Sequence, residues 1–187
     1  MARLTGAFFL RGTVEVAQDL LGRYLVRQAG RRRIVCRITE TEAYVGAVDK
    51  ACHAYGGRMT ERTRTLYAAP GTAYVYLIYG MYHCLNLVTE AEGVAAAGFR
   101  FGAPYGALTP AQRRALSNGP GKLCKALNID RSLNNLPPAS DALYVADELP
   151  ELSLAARPAD LSFCTGKRVG IDYAQEAVDF PWRFWLE

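Results

Sequence analysis

The sequence predicts an α+β protein that forms one compact domain over residues 1–187. Two pairs of strand-like segments are each separated by a short turn, which is typical of antiparallel hairpins. A segment with helical spacing precedes the first pair, and shorter helical segments follow the second pair. The chain is half apolar and has no repeat or linker, so its length suits one domain with a sizeable core.

Composition narrows the classes of function. The formal net charge is +4 and the pI is about 8.8, which is compatible with a polyanionic partner without proving one. The five cysteines form no C-x-x-C pair, which argues against a disulfide framework and a cysteine-rich zinc site. The sequence starts without a long apolar run, so we expect no signal peptide and no membrane span. We expect an intracellular protein, either cytoplasmic and associated with a bacterial nucleoid or nuclear in a eukaryote.

The first predicted elements are a helix and a hairpin. Residues 8–21 follow helical spacing, with Thr13 as the expected N-cap and Gly22 as the end of the helix. Residues 23–27 indicate a strand, and a turn at 29–31 leads from it into a second strand.

The second strand carries the most informative pattern in the chain. From Ile34 to Tyr44, alternate residues share one face of an extended strand, and this face changes from apolar to acidic to aromatic. Glu40 and Glu42 therefore continue an inward-facing row, where a carboxylate suits general acid or base catalysis. An exposed strand end with two solvated glutamates is an equally good interpretation of the spacing alone.

A long loop and a tyrosine-rich hairpin come next. The loop at 45–70 is rich in Gly, Arg and Thr and contains His53, and loops of this length inside a compact domain are usually functional or disordered. Residues 72–88 indicate two strands joined by a turn at 79–81. A bulky side chain such as Tyr79 has no core to fill at this tip, and an exposed aromatic beside arginines is typical of a wedge that enters a DNA duplex.

The rest of the chain is predicted in shorter pieces. A glycine turn at 118–122 lacks the G-x-x-x-x-G-K-[ST] spacing of a phosphate loop, so we exclude nucleoside triphosphate binding there. The remaining predicted elements are strands at 93–101, 142–146, 168–171 and 182–186, and helices at 109–116 and 123–127.

Several motifs occur in a characteristic order: Glu40-Thr-Glu-Ala-Tyr44, His53 with Gly57-Arg58, residues 74–82 with Asn86, residues 118–123, and Arg168-Val-Gly170. Together they resemble the alkyladenine (3-methyladenine) DNA glycosylases, the single-domain type without a helix-hairpin-helix. The resemblance extends over nearly the whole chain. It implies a curved, mainly antiparallel sheet with flanking helices and a hairpin wedge. It also implies base-excision repair, in which damaged purines are flipped out of double-stranded DNA and cleaved from their sugar.

The resemblance also implies roles for individual residues. Glu42 is expected to be the general base that activates water, and Arg100 to help hold the water and the nearby phosphate. The expected base pocket consists of Tyr44, His53, Tyr76 and Asn86, and Tyr79 is expected to intercalate. Further DNA contacts are expected from Met81, Tyr82, Arg58, Arg62 and Lys122. We expect no cofactor, no metal, no lyase step and a monomer.

The sequence departs from the family pattern near the expected pocket rim. The family pattern has an acidic residue in the segment that corresponds to residues 100–104, whereas this chain has Ala103 there. In the loop of Arg58, Glu61-Arg62-Thr63 stands where the family pattern has Pro-Arg-Asn. These departures leave the preferred lesion open. Two other functions also stay open on the sequence: a DNA-binding module without catalysis, and a nucleoside hydrolase that uses Glu40 or Asp49 as a second acid.

Overall fold

A computed structural model describes residues 3–94 and 119–187. Within these ranges the α-helices are α1 (Gly6–Phe9), α2 (Thr13–Leu20) and α3 (Pro120–Ala126). The strands are β1 (Tyr24–Ala29), β2 (Arg32–Arg37), β3 (Glu40–Glu42), β4 (Ala73–Ile78), β5 (Tyr82–Leu87), β6 (Leu143–Ala146), β7 (Cys164–Gly166) and β8 (Arg183–Trp185). The loop between β3 and β4 contains short 3₁₀ turns at Gly46–Val48, Tyr55–Gly57 and Arg64–Tyr67.

Every pairing among these strands is antiparallel. In the described ranges, the strands form sheets in the orders β2-β1-β6, β3-β8-β7 and β4-β5. The combination of helices with antiparallel sheets confirms the predicted α+β class. The predicted hairpins at the first turn and at the tyrosine-rich segment are both confirmed by the β1–β2 and β4–β5 registers.

The N-terminal helix is divided, and the expected cap is wrong. Gly12 precedes the first residue of α2 and occupies the N-cap position, without a side-chain cap. Thr13 is the first helical residue, and its buried hydroxyl lies 2.9 Å from the Thr89 hydroxyl and donates to Glu90 at 2.8 Å. The hydroxyl therefore ties α2 to the segment after β5 instead of capping the helix.

The predicted continuous strand from Ile34 to Tyr44 is also wrong. Ile38 is fully buried and exchanges backbone hydrogen bonds with Gly22 and Arg23. This pairing continues the β1–β2 hairpin as far as Ile38, after which β3 pairs with β8 in another sheet. The inward orientation of Glu42 is nevertheless retained, because only 2 % of its surface is exposed.

The prediction of a strand at 168–171 is wrong, since the strand in this region is β7 and the later segment bends at Gly170, which has a φ of +72°. Gly93 and Val94 lie in a turn rather than in the predicted strand. The rest of that strand, the predicted helix at 109–116, Ala103 and Arg100 lie outside the described residues. The predicted closing strand at 182–186 is confirmed as β8.

The main core lies between α2, β1, β5 and β6. Its fully buried members include Val16, Leu20, Leu25 and Leu85, with Phe184 from β8. All five cysteines are free thiols. In the two described ranges, the helices are too short or too polar to span a membrane.

Candidate active site

The hairpin β4–β5 supplies one wall of a cleft. Tyr74 and Tyr76 are two residues apart on β4, so their side chains emerge on the same face. Asn86 is the register partner of Tyr74 and adds its amide to this face, where Nδ2 donates to the Tyr74 carbonyl at 3.4 Å. The strand period therefore places two aromatic rings and one amide side by side.

The cleft encloses about 270 Å³ of space that is open to solvent. Its lining residues are Tyr44, Ala51, Cys52, His53, Leu66, Tyr74, Tyr76 and Asn86. The four residues expected in the base pocket, Tyr44, His53, Tyr76 and Asn86, therefore all line one cleft.

The aromatic rings of the cleft pack directly against one another. Tyr74 and Tyr76 stack with centroids 5.1 Å apart and an interplanar angle of 26°. The His53 ring meets Tyr76 edge-on at 4.6 Å and 76°. The three rings form one aromatic wall, and aromatic ring faces can stack on a planar base.

His53 has a defined hydrogen-bonding environment at the mouth of the cleft. Its Nδ1 lies 3.1 Å from the Tyr74 hydroxyl, and its Nε2 lies 3.5 Å from a guanidinium nitrogen of Arg62. A guanidinium can only donate, so Nε2 is the acceptor and Nδ1 carries the proton. The residue is exposed at the cleft mouth, but partial loss of solvent around its ring, reinforced by the charge of Arg62, lowers the pKa of His53 to about 4. The ring is therefore neutral at physiological pH.

Cys52 does not provide a nucleophile in the cleft. Its burial raises the pKa of the thiol to about 11. The reactive form of cysteine is the thiolate, which is scarce at neutral pH when the pKa is this high. The thiol therefore contributes to the apolar wall of the cleft.

Glu42 lies behind the lining of the cleft and is connected to it by a hydrogen bond with Tyr44. Its Oε2 accepts a hydrogen bond from the Tyr44 hydroxyl at 2.7 Å, and its Oε1 accepts one from the backbone amide of Val169 at 2.9 Å. Among the described residues, Glu42 touches the cleft through Tyr44 and does not itself line it. A buried carboxylate with fixed donors is held in one orientation, which is what a general base requires.

A buried ion pair contacts the segment that follows Glu42. Arg168 donates to Asp49 through both terminal nitrogens, at 2.5 and 2.9 Å, and both side chains are fully buried. Sequence reasoning had assigned no role to Arg168 and had considered Asp49 only as a possible second acid. The two residues are 119 positions apart, and no local pattern could have indicated that they meet.

The tip of the β4–β5 hairpin is exposed as predicted. Tyr79 is 78 % exposed and Met81 is 70 % exposed. Tyr79 and Gly80 both have positive φ, at 51° and 66°, as in the tight turns that match the twist of a hairpin. The backbone therefore presents the Tyr79 ring to solvent on a short and closely defined turn.

Helix α3 packs closely against the base of this tip. A Cβ atom added to Gly121 would lie 2.7 Å from the Cβ of Tyr82. Only glycine permits this approach, which fixes Tyr82 and places Lys122 of α3 beside the hairpin.

The other expected DNA contacts lie around the cleft mouth. Arg58 and Arg62 are exposed in the loop before β4, and the Arg62 guanidinium lies 5.6 Å from the centroid of the Tyr76 ring. Tyr74 was missed as a cleft residue, although its spacing of two from Tyr76 could have indicated it. Arg100 lies outside the described residues.

The chain is similar in sequence to a known protein family and to several known proteins. The sequence signature of the methylpurine-DNA glycosylase family matches residues 7–187. A protein of Clostridium perfringens, named as a 3-methyladenine DNA glycosylase, is 46 % identical over 202 aligned positions that cover 99 % of this chain and 96 % of that protein. Proteins of the same name from Desulfitobacterium hafniense and Methanocella arvoryzae are 44 % and 48 % identical, and they cover 100 % and 95 % of this chain and 96 % and 89 % of their own length.

These matches extend over nearly the whole chain and include both halves of the cleft. Members of the family hydrolyse N-glycosyl bonds in DNA, as the first step of base-excision repair. The chain therefore belongs to the methylpurine-DNA glycosylase family and is a DNA repair enzyme of the 3-methyladenine DNA glycosylase type.

Proposed function

We propose that the protein flips a damaged purine out of duplex DNA into the aromatic cleft and hydrolyses its N-glycosidic bond with water activated by Glu42. The observation that carries this proposal is the hydrogen bond between the buried Glu42 carboxylate and the hydroxyl of Tyr44, a cleft residue. It joins a candidate base to the cleft, whose aromatic wall can stack on a planar base. The product is an abasic site.

Extrusion of a base needs compensation for lost stacking and pairing. Flipping costs a few kcal/mol, and it costs least for damaged or mispaired bases. Stacking in the cleft returns roughly 1–3 kcal/mol per base. Tyr79, at the exposed hairpin tip, has the size and position to fill the gap that the base leaves. Alkylated adenine and guanine, hypoxanthine and ethenoadenine are the proposed substrates.

The chemical step follows from a carboxylate held beside the cleft. A base that removes a proton from water creates the nucleophile for attack on C1′. The transition state has the character of an oxocarbenium ion, so a nearby carboxylate also stabilises its positive charge. We propose a single hydrolytic step without strand cleavage, because the described part of the cleft is not lined by a lysine that could form a Schiff base.

The nucleoside hydrolase alternative is weakened by the partners of its candidate acids. Glu40 forms two hydrogen bonds with Arg183, at 2.8 and 3.1 Å. Asp49 is fully buried in its pair with Arg168. Neither carboxylate is available as the second acid that a two-carboxylate glycosidase needs.

Single-turnover release of hypoxanthine from a labelled duplex tests the proposal. We expect Glu42→Gln to bind the damaged duplex and to release the base about 10²- to 10⁴-fold more slowly, because the amide cannot act as a general base. A duplex with 3-methyladenine or 7-methylguanine, assayed in parallel, distinguishes a narrow lesion range from loss of activity.

Glu40→Gln is the matched control, since it removes the same charge two residues away on the same strand. It should retain base release. Equal losses in the two variants would contradict the assignment of Glu42, and native-like release by Glu42→Gln would overturn it. A native protein that binds every damaged duplex but releases no base would favour a DNA-binding module.

A further inference from the structure

Asp49 and Arg168 contact the segment that directly follows the candidate catalytic residue. In addition to its two bonds to Asp49, Arg168 donates to the carbonyl of Ala43 at 2.8 Å and to that of Ala177 at 3.1 Å. Ala43 is the residue between Glu42 and Tyr44. The guanidinium is therefore anchored to the backbone of the segment that carries the proposed base.

The same guanidinium supports Tyr44 through its ring. The Arg168 Cζ lies 4.8 Å from the Tyr44 ring centroid, within the range of a cation–π contact. Tyr44 in turn donates its hydroxyl hydrogen to Glu42. The orientation of the ring determines where its hydroxyl lies, so Arg168 influences one of the donors described for the carboxylate.

The other described donor is attached directly to Arg168. The backbone amide of Val169, the next residue, donates to Oε1 of Glu42 at 2.9 Å. Gly170 follows with a positive φ, so the chain bends immediately after this amide. The Arg168 side chain is fixed by its partners and lies at one end of the peptide bond that joins Arg168 to Val169. It therefore limits the direction in which the Val169 amide can point.

Asp49 connects Arg168 to a wall of the cleft. Its carboxylate accepts the backbone amide of Val45 at 3.0 Å and that of Ala51 at 2.9 Å, as well as the guanidinium. Ala51 lines the cleft beside Cys52 and His53. One buried carboxylate thus fixes the start of the loop, a wall of the cleft and the arginine.

We propose that Asp49 and Arg168 are positioning residues that hold Glu42 and Tyr44 in register with the base pocket. This inference rests on the proposed function, because it gives the ion pair its role through Glu42. Neither side chain is exposed to solvent, so the pair acts through its neighbours and not by contact with DNA.

A purely structural ion pair would behave differently. Breaking any buried pair destabilises the fold, because one charge is left without its partner. A positioning role predicts in addition a loss of reaction rate in protein that remains folded, since small displacements of a catalytic group cost up to about 100-fold in rate. The test must therefore separate folding from the chemical step.

The experiment compares Asp49→Asn and Arg168→Lys with the native protein at a temperature at which circular dichroism shows all of them to be folded. Base release is followed in single turnovers on a hypoxanthine duplex with saturating enzyme, and the dissociation constant is measured separately. We expect a 10- to 100-fold slower release and a change of less than about 3-fold in the dissociation constant.

Slower release at an unchanged dissociation constant, in protein that remains folded, is a signature that a structural role would not produce.

Asp147→Asn is the control, because it breaks the partly buried pair of Asp147 with Arg23, remote from the cleft. It should lower the melting temperature and leave both the rate and the dissociation constant native. The proposal is overturned if the folded Asp49 and Arg168 variants release base at the native rate. If the native protein itself releases no base, the proposed function on which this inference rests is wrong.

Discussion

His53 is a cleft residue whose lowered pKa makes its ring neutral at physiological pH. Its neutral ring accepts a hydrogen bond from Arg62 through Nε2 and leaves the proton on Nδ1. Protonation would bring a second positive charge against Arg62 and disrupt this arrangement.

Acidification should therefore destabilise the protein through His53. The pKa of this residue is about 4 when folded, against 6.5 for an unperturbed histidine, so the unfolded chain takes up the proton first. The stability contributed by the neutral ring is fully present above pH 6.5 and is lost as the pH falls from 6.5 to 4. Melting temperatures of the native protein and of His53→Gln over this range measure the effect.

When the pH falls from 6.5 to 4, the melting temperature of the native protein should fall further than that of His53→Gln. His83→Gln controls for removal of a histidine outside the cleft. If the native protein and His53→Gln decline in parallel, the neutral state of His53 does not contribute to stability.

Residue-scale prediction from sequence depended on local signals. The spacing of apolar residues before Glu42 made its burial one of two equally good interpretations, and Glu42 is buried although the continuous strand is absent and Thr41 and Ala43 are buried as well. The contact between Asp49 and Arg168 depends on tertiary folding across 119 positions, and one sequence alone contains no signal for it.

At the scale of elements, the β4–β5 hairpin presents Tyr79 on a turn of defined geometry. We expect Tyr79→Ser to slow base release from a stably paired lesion by about 10- to 100-fold, since lost wedge contacts leave the cost of flipping, a few kcal/mol, uncompensated. On a mismatched lesion, which flips more easily, the effect should be smaller. Single-turnover rates on the two duplexes give the comparison.

Leu152→Ser is the control, because Leu152 is also an exposed large apolar residue but lies in a 3₁₀ turn of a different segment. It should leave both rates unchanged. Equal slowing of Tyr79→Ser on the paired and mismatched lesions would contradict a wedge and indicate a general role of the tyrosine.

Elements formed by neighbouring residues were predictable, and those formed by distant ones were not. Both hairpins close over short turns, and turn chemistry is readable from a few residues. The break between β2 and β3 arises because β3 pairs with β8, where Glu40 lies opposite Trp185. Residues 34–44 contain no pattern that indicates β8 as their distant partner.

At the scale of the whole molecule, the net charge of +4 and the exposed cations near the cleft suit a polyanion. Each phosphate contact contributes a slope of about −0.9 to the dependence of log affinity on log salt. For about three contacts, duplex affinity should fall roughly 40-fold between 50 and 200 mM salt. Titrations of the duplex, with free inosine in parallel, measure this dependence.

The double variant of Arg58 and Lys122 to Gln should have a shallower salt slope than the native protein. A double variant of Arg31 and Arg32 to Gln is its control, since these exposed arginines lie at the β1–β2 turn. Equal slopes in the two variants would mean that DNA is attracted by overall charge and not by this face. Salt-independent hydrolysis of inosine would favour a nucleoside hydrolase.

The pairing of β3 with β8 has a consequence for synthesis of the protein. The ribosome delivers Glu42 long before it delivers Val169 and Arg183, which bind and pair with that residue. At about 5–20 residues per second, the delay is roughly 7–30 seconds. Translation products that stop before these partners carry the carboxylate without its support. If Glu42 is the catalytic base proposed above, we expect unfinished chains to release no bases from DNA.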